Sequence, residues 1–332
     1  MKKNILITFA FLLFGASLFA SQTQTSAMQL SLGSSPAKIS PPPISLPIAS
    51  GPIQDQTILR SNQLMLATME KIKSGNLVEA RKLVMEMIKD KDKYPDTPTE
   101  VFRAFASNIE KKFFELELKK EGNKAKVNWL KEPIADGFYL LAILDFQENH
   151  IKEALENIQF AISWNPDRSA FHSERGYIIL NQGNSELAMG LSSYLRALET
   201  AYTTEDFATA MRGVGFVLVE RGDLEGAMAA YQVAKKFDPQ NPVAEQEIRF
   251  ILEKMPTLKE KINLSSAYGL LKNRGIPTGI SKLFVPIILE ISDELVGFAK
   301  KSELAALLKI AYQIDPENAE IKKRLTFLDG VK

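Results

Sequence analysis

The chain has 332 residues, with 41 Lys and Arg against 40 Asp and Glu, only 2 His and no Cys. The lack of Cys excludes disulfide frameworks, thiolate zinc sites, cysteine nucleophiles and a lipid-modified amino-terminal Cys. A formal net charge of +1 provides no electrostatic basis for binding a phosphate backbone, so we expect no nucleic-acid partner.

Residues 1–20 are predicted to be a secretory signal peptide. Lys2 and Lys3 precede an apolar run that starts at Ile5, and small residues lead to a plausible cleavage point after Ala20. The run is about 16 residues at most, short for the roughly 20 that span a bilayer, although an uncleaved anchor is the alternative. Because no Cys forms a lipobox, we expect a soluble mature protein, periplasmic or secreted, without stable membrane insertion.

Residues 21–56 are predicted to be a flexible linker rich in Ser, Pro and Gln. From Ser21 to Gln54 the only charged residue is Lys38, and the segment contains Pro41-Pro42-Pro43, Pro47 and Pro52. Such a composition buries too little apolar surface to offset the entropy of ordering. The alternative is a short extended recognition motif around Ile44 to Pro47.

After Asp55 the pattern is helical, with no convincing strand alternation, and it repeats. Three hexapeptides share a Gly, then Asn or Asp, and an Ala five residues after the Gly: 75–80, 183–188 and 222–227. Gly favours the left-handed end of one helix and Asn or Asp caps the next, so each hexapeptide predicts the elbow of a helical hairpin. Asn149-His150 before Ala154 predicts a fourth elbow, with Asn in the left-handed position.

The far ends of the hairpins repeat as well. Each joins a large apolar residue, Asn or Asp, and Pro, at 164–166, 237–239 and 314–316. Pro stops the outgoing helix and presets the first turn of the next one. Ala154 and Ala188 are 34 residues apart, and a unit near 34 residues with small insertions fits the other spacings.

These units resemble the tetratricopeptide repeat family, whose unit is a 34-residue antiparallel helix pair. The unit from about Ala208 to Asn241 fits best, followed by the unit from about Ala135 to Arg168. The best unit places Met211, Val214, Gly215 and Leu218 on its first helix and Ala227, Tyr231, Ala234 and Pro239 on its second. In the degenerate unit from about Ser169, Tyr194 and Ala197 come two residues late, which implies a bulged or lengthened second helix.

We therefore predict an all-α fold, a tetratricopeptide-like α-α superhelix (α-solenoid) of antiparallel helix pairs, with another α-solenoid as the alternative. Residues 57–133 are predicted to be degenerate N-terminal helical repeats, 134–241 the core repeats, and 242–332 C-terminal repeats ending in a capping helix. The stretches 101–133 and 243–285 match only as helices, and we expect an irregular joint at 276–291.

The resemblance implies a concave inner wall formed by the first helix of each pair. Spacings of four and three residues beside the core seam give stripes on three such helices, flanked by Asn181 and Glu220. The predicted partner-binding residues are Tyr139, Ile143, Phe146, Ser173, Tyr177, Asn181, Arg212, Phe216 and Glu220. The alternative is that superhelical packing, or the linker folding back, buries these stripes.

The predicted function is a non-enzymatic exported scaffold or adaptor that binds a protein or peptide partner on this wall, within an envelope assembly complex. The alternative is the superhelical body of a peptidoglycan- or carbohydrate-associated, glycan-cleaving envelope protein, which requires a carboxylic acid with a raised pKa. No motif marks such an acid, and His150 and His172 lie in different units. We predict no catalytic residue, no cofactor and no metal site.

Overall fold

A computed structural model describes residues 56–330 of the chain. The predicted signal peptide, residues 1–20, and the predicted linker up to residue 55 lie outside the described residues. The described chain forms fifteen α-helices and two short strands. The helices are α1 (Gln56–Lys73), α2 (Leu77–Ile88), α3 (Asn108–Lys120), α4 (Ile134–Gln147), α5 (Ile151–Trp164), α6 (Ser169–Leu180), α7 (Leu187–Thr200), α8 (Thr204–Glu220), α9 (Leu224–Phe237), α10 (Pro242–Lys254), α11 (Leu258–Lys261), α12 (Leu264–Asn273), α13 (Phe284–Leu295), α14 (Lys301–Ile314) and α15 (Ala319–Gly330); the strands are β1 (Glu100–Arg103) and β2 (Lys126–Trp129).

The helices form antiparallel pairs, α1/α2, α4/α5, α6/α7 and α8/α9, and consecutive pairs from α4 to α9 stack on one another. Three of the four predicted elbows have the left-handed residue that the sequence predicts. Gly75 and Gly222 have φ of 74° and 78°, and Asn149 has φ of 62°, a left-handed conformation that few residues other than Gly tolerate. The Asp223 side chain accepts a hydrogen bond from Gly226 N at 2.9 Å and so caps α9.

The elbow between α6 and α7 differs from the prediction of a lengthened second helix. A 3₁₀ turn, Asn184–Glu186, precedes α7. Helix α7 has 14 residues, the same length as α5 and α9. The extra residues therefore lie in the connection and not in the helix, which explains why Tyr194 comes late in the repeat.

Rings packed on glycines hold the pairs together. A Cβ on Gly215 would lie 2.8 Å from the Tyr231 ring, so α8 and α9 approach each other at this point as the repeat pattern predicts. Tyr194 of α7 packs against both Gly176 of α6 and Gly213 of α8. One buried ring thus joins three helices of two successive pairs.

The expectation that residues 101–133 are only helical is wrong. β1 and β2 form a parallel two-stranded sheet, with Val101 opposite Val127, and α3 is the crossover between them. Phe105, Phe114 and Trp129 pack together beside the sheet. Each strand has four residues, too few for an alternating pattern to emerge from the sequence.

The C-terminal part of the described chain ends in three helices, α13 to α15, where the sequence predicts a hairpin and a capping helix. Helices α10 and α12 pack against α9, α13 packs against α14, and α15 packs against α14. The irregular joint is shorter than predicted, because α13 begins at Phe284 and accommodates Pro286 in its first turn. Within residues 56–330, no helix has the length and apolar content to span a bilayer.

Candidate partner-binding surface

The nine predicted partner-binding residues lie on the first helices of three successive pairs. Helix α4 carries Tyr139, Ile143 and Phe146, α6 carries Ser173 and Tyr177 with Asn181 directly after its end, and α8 carries Arg212, Phe216 and Glu220. Rings from α4 and α6 contact each other, and α6 packs against α8. The structure therefore brings the three stripes together on neighbouring helices.

Most of these side chains are packed inside the protein. Ile143, Ser173, Tyr177, Arg212 and Phe216 are buried; Tyr177 is only 2% exposed and Phe216 only 3%. Tyr139, Phe146, Asn181 and Glu220 are partly exposed. The apolar side chains expected to anchor a partner thus face neighbouring helices, and the partner-binding role of the nine residues stays a prediction.

Contacts between adjacent first helices explain this burial. The Tyr139 ring lies 5.0 Å from the Phe171 ring, and the Phe146 ring meets the Tyr177 ring edge-on at 5.1 Å between centroids. Such aromatic pairs contribute about 0.5–1.5 kcal/mol beyond the burial of their area. The Phe171 and Tyr177 rings therefore fill the space between helices, while the Tyr139 and Phe146 rings remain partly exposed.

Arg212 has internal partners. Its Nη1 donates to Asp238 Oδ2 at 3.0 Å and its Nη2 donates to Thr209 Oγ1 at 2.9 Å. Asp238 follows the last residue of α9 and precedes the Pro that starts the next turn. Burial lowers the pKa of Arg212, although the Asp238 carboxylate opposes this. The guanidinium thus fixes the end of α9 to α8.

Three of the four partly exposed residues lie at the C-terminal ends of α4, α6 and α8. We call Phe146, Asn181 and Glu220 the end row; they lie at or next to the last residues of α4, α6 and α8. The Asn181 Nδ2 donates to Tyr177 O at 2.8 Å, which leaves its Oδ1 as an acceptor. Glu220 makes no ion pair with another of the described residues. The end row thus offers an aromatic edge, an amide and a carboxylate.

A buried acid that the sequence did not mark lies behind this wall. Glu174 of α6 is 5% exposed, and burial raises its pKa to about 8, so it is mostly protonated at neutral pH. Burial raises the pKa of Tyr177 and Tyr194, and the nearby Glu174 carboxyl adds to this. The hydroxyls of both tyrosines lack a hydrogen-bond partner among the described residues, an uncommon state for buried groups.

Helix α3 ties the first core repeat to the rest of the stack. Glu110, 1% exposed, accepts hydrogen bonds from Asn165 Nδ2 at 2.8 Å and from Arg168 Nη1 at 3.4 Å. Burial raises the pKa of Glu110, and the positive charge of Arg168 opposes this. Ser107, three residues before Glu110, caps α3 by accepting from Glu110 N at 3.2 Å. That spacing was the available sequence signal for the start of α3.

The same helix reaches the C-terminal hairpin. Lys112 Nζ lies 2.7 Å from both Glu290 and Glu294 of α13, and the Phe113 ring stacks on Phe284 at 4.7 Å. Phe113 is only 4% exposed. These partners are more than 170 residues away along the chain, so no local pattern indicates them.

The two histidines have separate environments. His172 is buried, its Nε2 lies 2.7 Å from Pro166 O, and burial lowers its pKa to about 4. His150 is exposed and lies with Asp145 and Glu148 in a group whose ligand atoms are within 4.8 Å of one another. Arg81 already pairs with both of these carboxylates, at 2.7 Å to Asp145. These carboxylates thus have a cationic partner within the protein, and the predicted lack of a metal site remains a prediction.

A comparison with known protein families matches residues 190–242 to the family described as tetratricopeptide repeat. This segment is similar to tetratricopeptide repeats. It contains the whole of the best predicted unit, 208–241, with α8 and α9. With the stacked antiparallel pairs on either side, the fold is a tetratricopeptide-like α-solenoid. Repeats of this kind generally form extended surfaces that bind proteins.

A search of curated proteins gives no match. Among solved structures, one described as a functional characterization of Pseudomonas aeruginosa pilF is 12% identical and aligns over 82% of this chain and 100% of that chain, with a TM-score of 0.45. The C-terminal part of a tetratricopeptide repeat-containing protein from Cytophaga hutchinsonii is 14% identical over 81% of this chain and 99% of that chain, with a TM-score of 0.32.

Proposed function

We propose that this chain is a non-enzymatic, exported scaffold that binds a protein partner on the inner wall of its helical repeats. The observation that carries the proposal is the end row, where Phe146, Asn181 and Glu220 are accessible on three neighbouring inner helices. Solenoids of helix pairs offer extended concave surfaces for partners. The buried aromatic side chains behind the row hold these helices at a fixed spacing.

The side chains of the end row indicate which residues the partner presents to them. Phe146 can pack on an apolar side chain, and the Glu220 carboxylate, which has no ion pair among residues 56–330, favours a basic group. The Asn181 Oδ1 can accept a hydrogen bond from a backbone N–H of an extended segment. We therefore propose a partner segment that carries an apolar and a basic residue.

The test replaces the amide and the carboxylate of the end row with positively charged side chains, without changing a core residue. The full chain with Asn181→Arg and Glu220→Arg is used as bait in an envelope fraction, beside the wild type and Lys152→Glu. Lys152 is exposed on α5, the second helix of its pair, so its substitution is a matched charge change on another face.

We expect the double variant to lose at least tenfold of the proteins captured by the wild type, measured by quantitative mass spectrometry, while Lys152→Glu retains them. Circular dichroism confirms that each variant is folded. Equal capture by the wild type and the double variant would contradict the proposal. The pair Tyr177→Ala and Phe216→Ala is unsuitable, because truncating large buried side chains costs about 3–5 kcal/mol of stability each.

Export into the envelope is the second part of the proposal. It rests on the basic start, short apolar run and small-residue exit of residues 1–20. We expect the mature protein in the periplasmic or secreted fraction, with Ser21 as its first residue. Cell fractionation with amino-terminal sequencing measures this, and an intact amino terminus in the cytoplasmic fraction would contradict it.

One observation favours the alternative of a glycan-cleaving envelope protein. Glu174 is a carboxyl group with a pKa raised to about 8, the kind of group that serves as a general acid. Its carboxyl is nearly inaccessible, so protein binding is better supported. Incubation with peptidoglycan distinguishes the two: release of fragments by the wild type but not by Glu174→Gln would support the alternative, and no release would leave the scaffold proposal.

A further inference from the structure

An aromatic pocket lies outside the inner wall, between residues 91–103 and the helices α4 and α5. Its volume is about 530 Å³, in the range of sites that hold a small molecule or a few residues of a peptide. We use the name aromatic pocket for the space lined by Tyr94, Phe102, Phe138, Phe160 and Trp164. Phe160 is 52% exposed although its ring lies 5.1 Å from that of Phe138. Together with the other rings that line this space it forms a contiguous apolar surface, the kind that marks an interaction site.

The charged groups at the rim pair with one another. Arg103 Nη1 lies 2.8 Å from Asp96 Oδ2, and Lys91 Nζ lies 2.6 Å from Asp92 Oδ2. All four of these residues line the pocket. Because opposite charges are matched within the rim, the pocket favours an uncharged occupant with flat or ring-shaped apolar groups.

The described chain begins close to this pocket. Helix α1 starts at Gln56, and near its start Arg60 Nη2 lies 2.6 Å from Glu86 Oε1, close to the end of α2. Lys91, the first residue of the pocket wall, follows Glu86 by five residues. Gln56 lies about 6 Å beyond Arg60 along the axis of α1. The residues before Gln56 therefore join the structure beside the rim.

Those residues have the composition that the pocket favours. Between residues 39 and 54 the sequence has no charged side chain and contains Pro41, Pro42, Pro43, Pro47 and Pro52. Proline-rich segments adopt the extended polyproline conformation at little entropic cost and bind in grooves lined by aromatic rings. At about 3.1 Å per residue, the 14 residues from Pro42 to Asp55 span about 43 Å, ample for the first prolines to reach the pocket.

We propose that the uncharged proline-rich segment 41–52 of this same chain binds in the aromatic pocket. Proline rings lie against Phe160 and Trp164, and the paired charges of the rim frame the segment. This inference is independent of the end row, which lies on other helix ends.

The test uses engineered cysteines, because the chain has none of its own. In the full chain, Ser45→Cys is combined with Ser163→Cys, which is exposed at the pocket wall. The matched control combines Ser45→Cys with Ser74→Cys, an exposed site after the last residue of the 18-residue α1. Ser74 is about 27 Å from the start of α1, within reach of the 11 residues that follow Ser45.

Under mild oxidation we expect the Ser163 pair to form its intramolecular disulfide at least tenfold faster than the Ser74 pair. Adding Phe160→Ala to the pocket pair should reduce its rate to that of the control. Equal rates for the two pairs would overturn the proposal. Disulfide-linked dimers as the main product would also overturn it, since they place the segment of a second copy in the pocket.

A second measurement avoids cysteines. Hydrogen exchange of residues 91–103 is compared in the wild type and in a chain with Gly at Pro41, Pro42, Pro43 and Pro47. We expect exchange in this stretch to be at least fivefold faster in the Gly chain, with exchange of α14 unchanged as an internal reference. Identical exchange in both chains would overturn the proposal whatever the cysteine pairs show.

Discussion

Substitution of Gly213 by Ala tests whether buried rings lock successive helix pairs together. A Cβ at this position would lie 2.1 Å from Tyr194 Cε1, far inside van der Waals contact. The ring has no room to move away, because its other edge lies 3.1 Å from the Cβ position of Gly176 and Tyr194 is 1% exposed. Either α7 or α8 must shift to admit the methyl group.

The expected cost follows from two opposing effects. Overpacking a filled core costs about 1–3 kcal/mol, and this contact is shorter than any that a small adjustment relieves. Ala in a helix interior is favoured over Gly by about 1 kcal/mol. We therefore expect Gly213→Ala to lower the free energy of unfolding by about 2 kcal/mol.

Gly269→Ala is the matched control. Gly269 also lies inside a helix, α12, and a Cβ there would have no atom within 4 Å. We expect this variant to be up to about 1 kcal/mol more stable than the wild type, because only the helix preference acts. Urea unfolding followed by circular dichroism measures both. Equal stabilities of Gly213→Ala and Gly269→Ala would refute the packing of Tyr194 between the pairs.

Three further substitutions test buried groups and an elbow. Glu174→Gln should remove a pH dependence: the folded pKa of about 8 lies above the ordinary 4.5, so wild-type stability falls as pH rises from about 4.5 to 8, by on the order of 5 kcal/mol. Urea unfolding at pH 5 and 8 shows this, and parallel profiles of variant and wild type would contradict it. His172→Gln should weaken the loss of stability in acid. The folded pKa of His172 is about 4 against an ordinary 6.5, so this group destabilises the wild type by on the order of 3 kcal/mol as the pH falls from 6.5 to 4. Thermal unfolding over that range should show a smaller decrease in the variant. Asn149→Ala should lower the melting temperature, with a loss of about 1 kcal/mol at a φ of 62°, while Asn149→Gly should not; equal melting temperatures would argue against a strained elbow.

The repeat architecture was predictable because its signals are local. Gly75, Gly222 and Asn149 adopt the left-handed conformation that the elbow pattern requires, and Tyr231 packs on Gly215 as the repeat spacing indicates. Each of these features depends on residues within one helical pair. Hence the helix pairs and their elbows follow from the sequence alone.

The burial of the inner wall and the role of α3 were not predictable in the same way. Tyr177 is buried because Phe146 of the preceding helix pair packs against it. The angle between successive pairs, which brings the two rings together, produces no periodic pattern in the sequence. Phe113 contacts Phe284, which is 171 residues further along the chain. The four-residue strands are too short to show an alternation of apolar and polar residues. Contacts between units determine which residues of a solenoid remain accessible. In this chain they determine which of the predicted partner-binding residues are buried.

Hydrogen exchange of the full chain, alone and in complex with a captured partner, tests the central claim most directly. The account predicts slower exchange at the ends of α4, α6 and α8, around Phe146, Asn181 and Glu220, with α14 and α15 unchanged. Slower exchange confined to α14 and α15, with the end row unaffected, would contradict it.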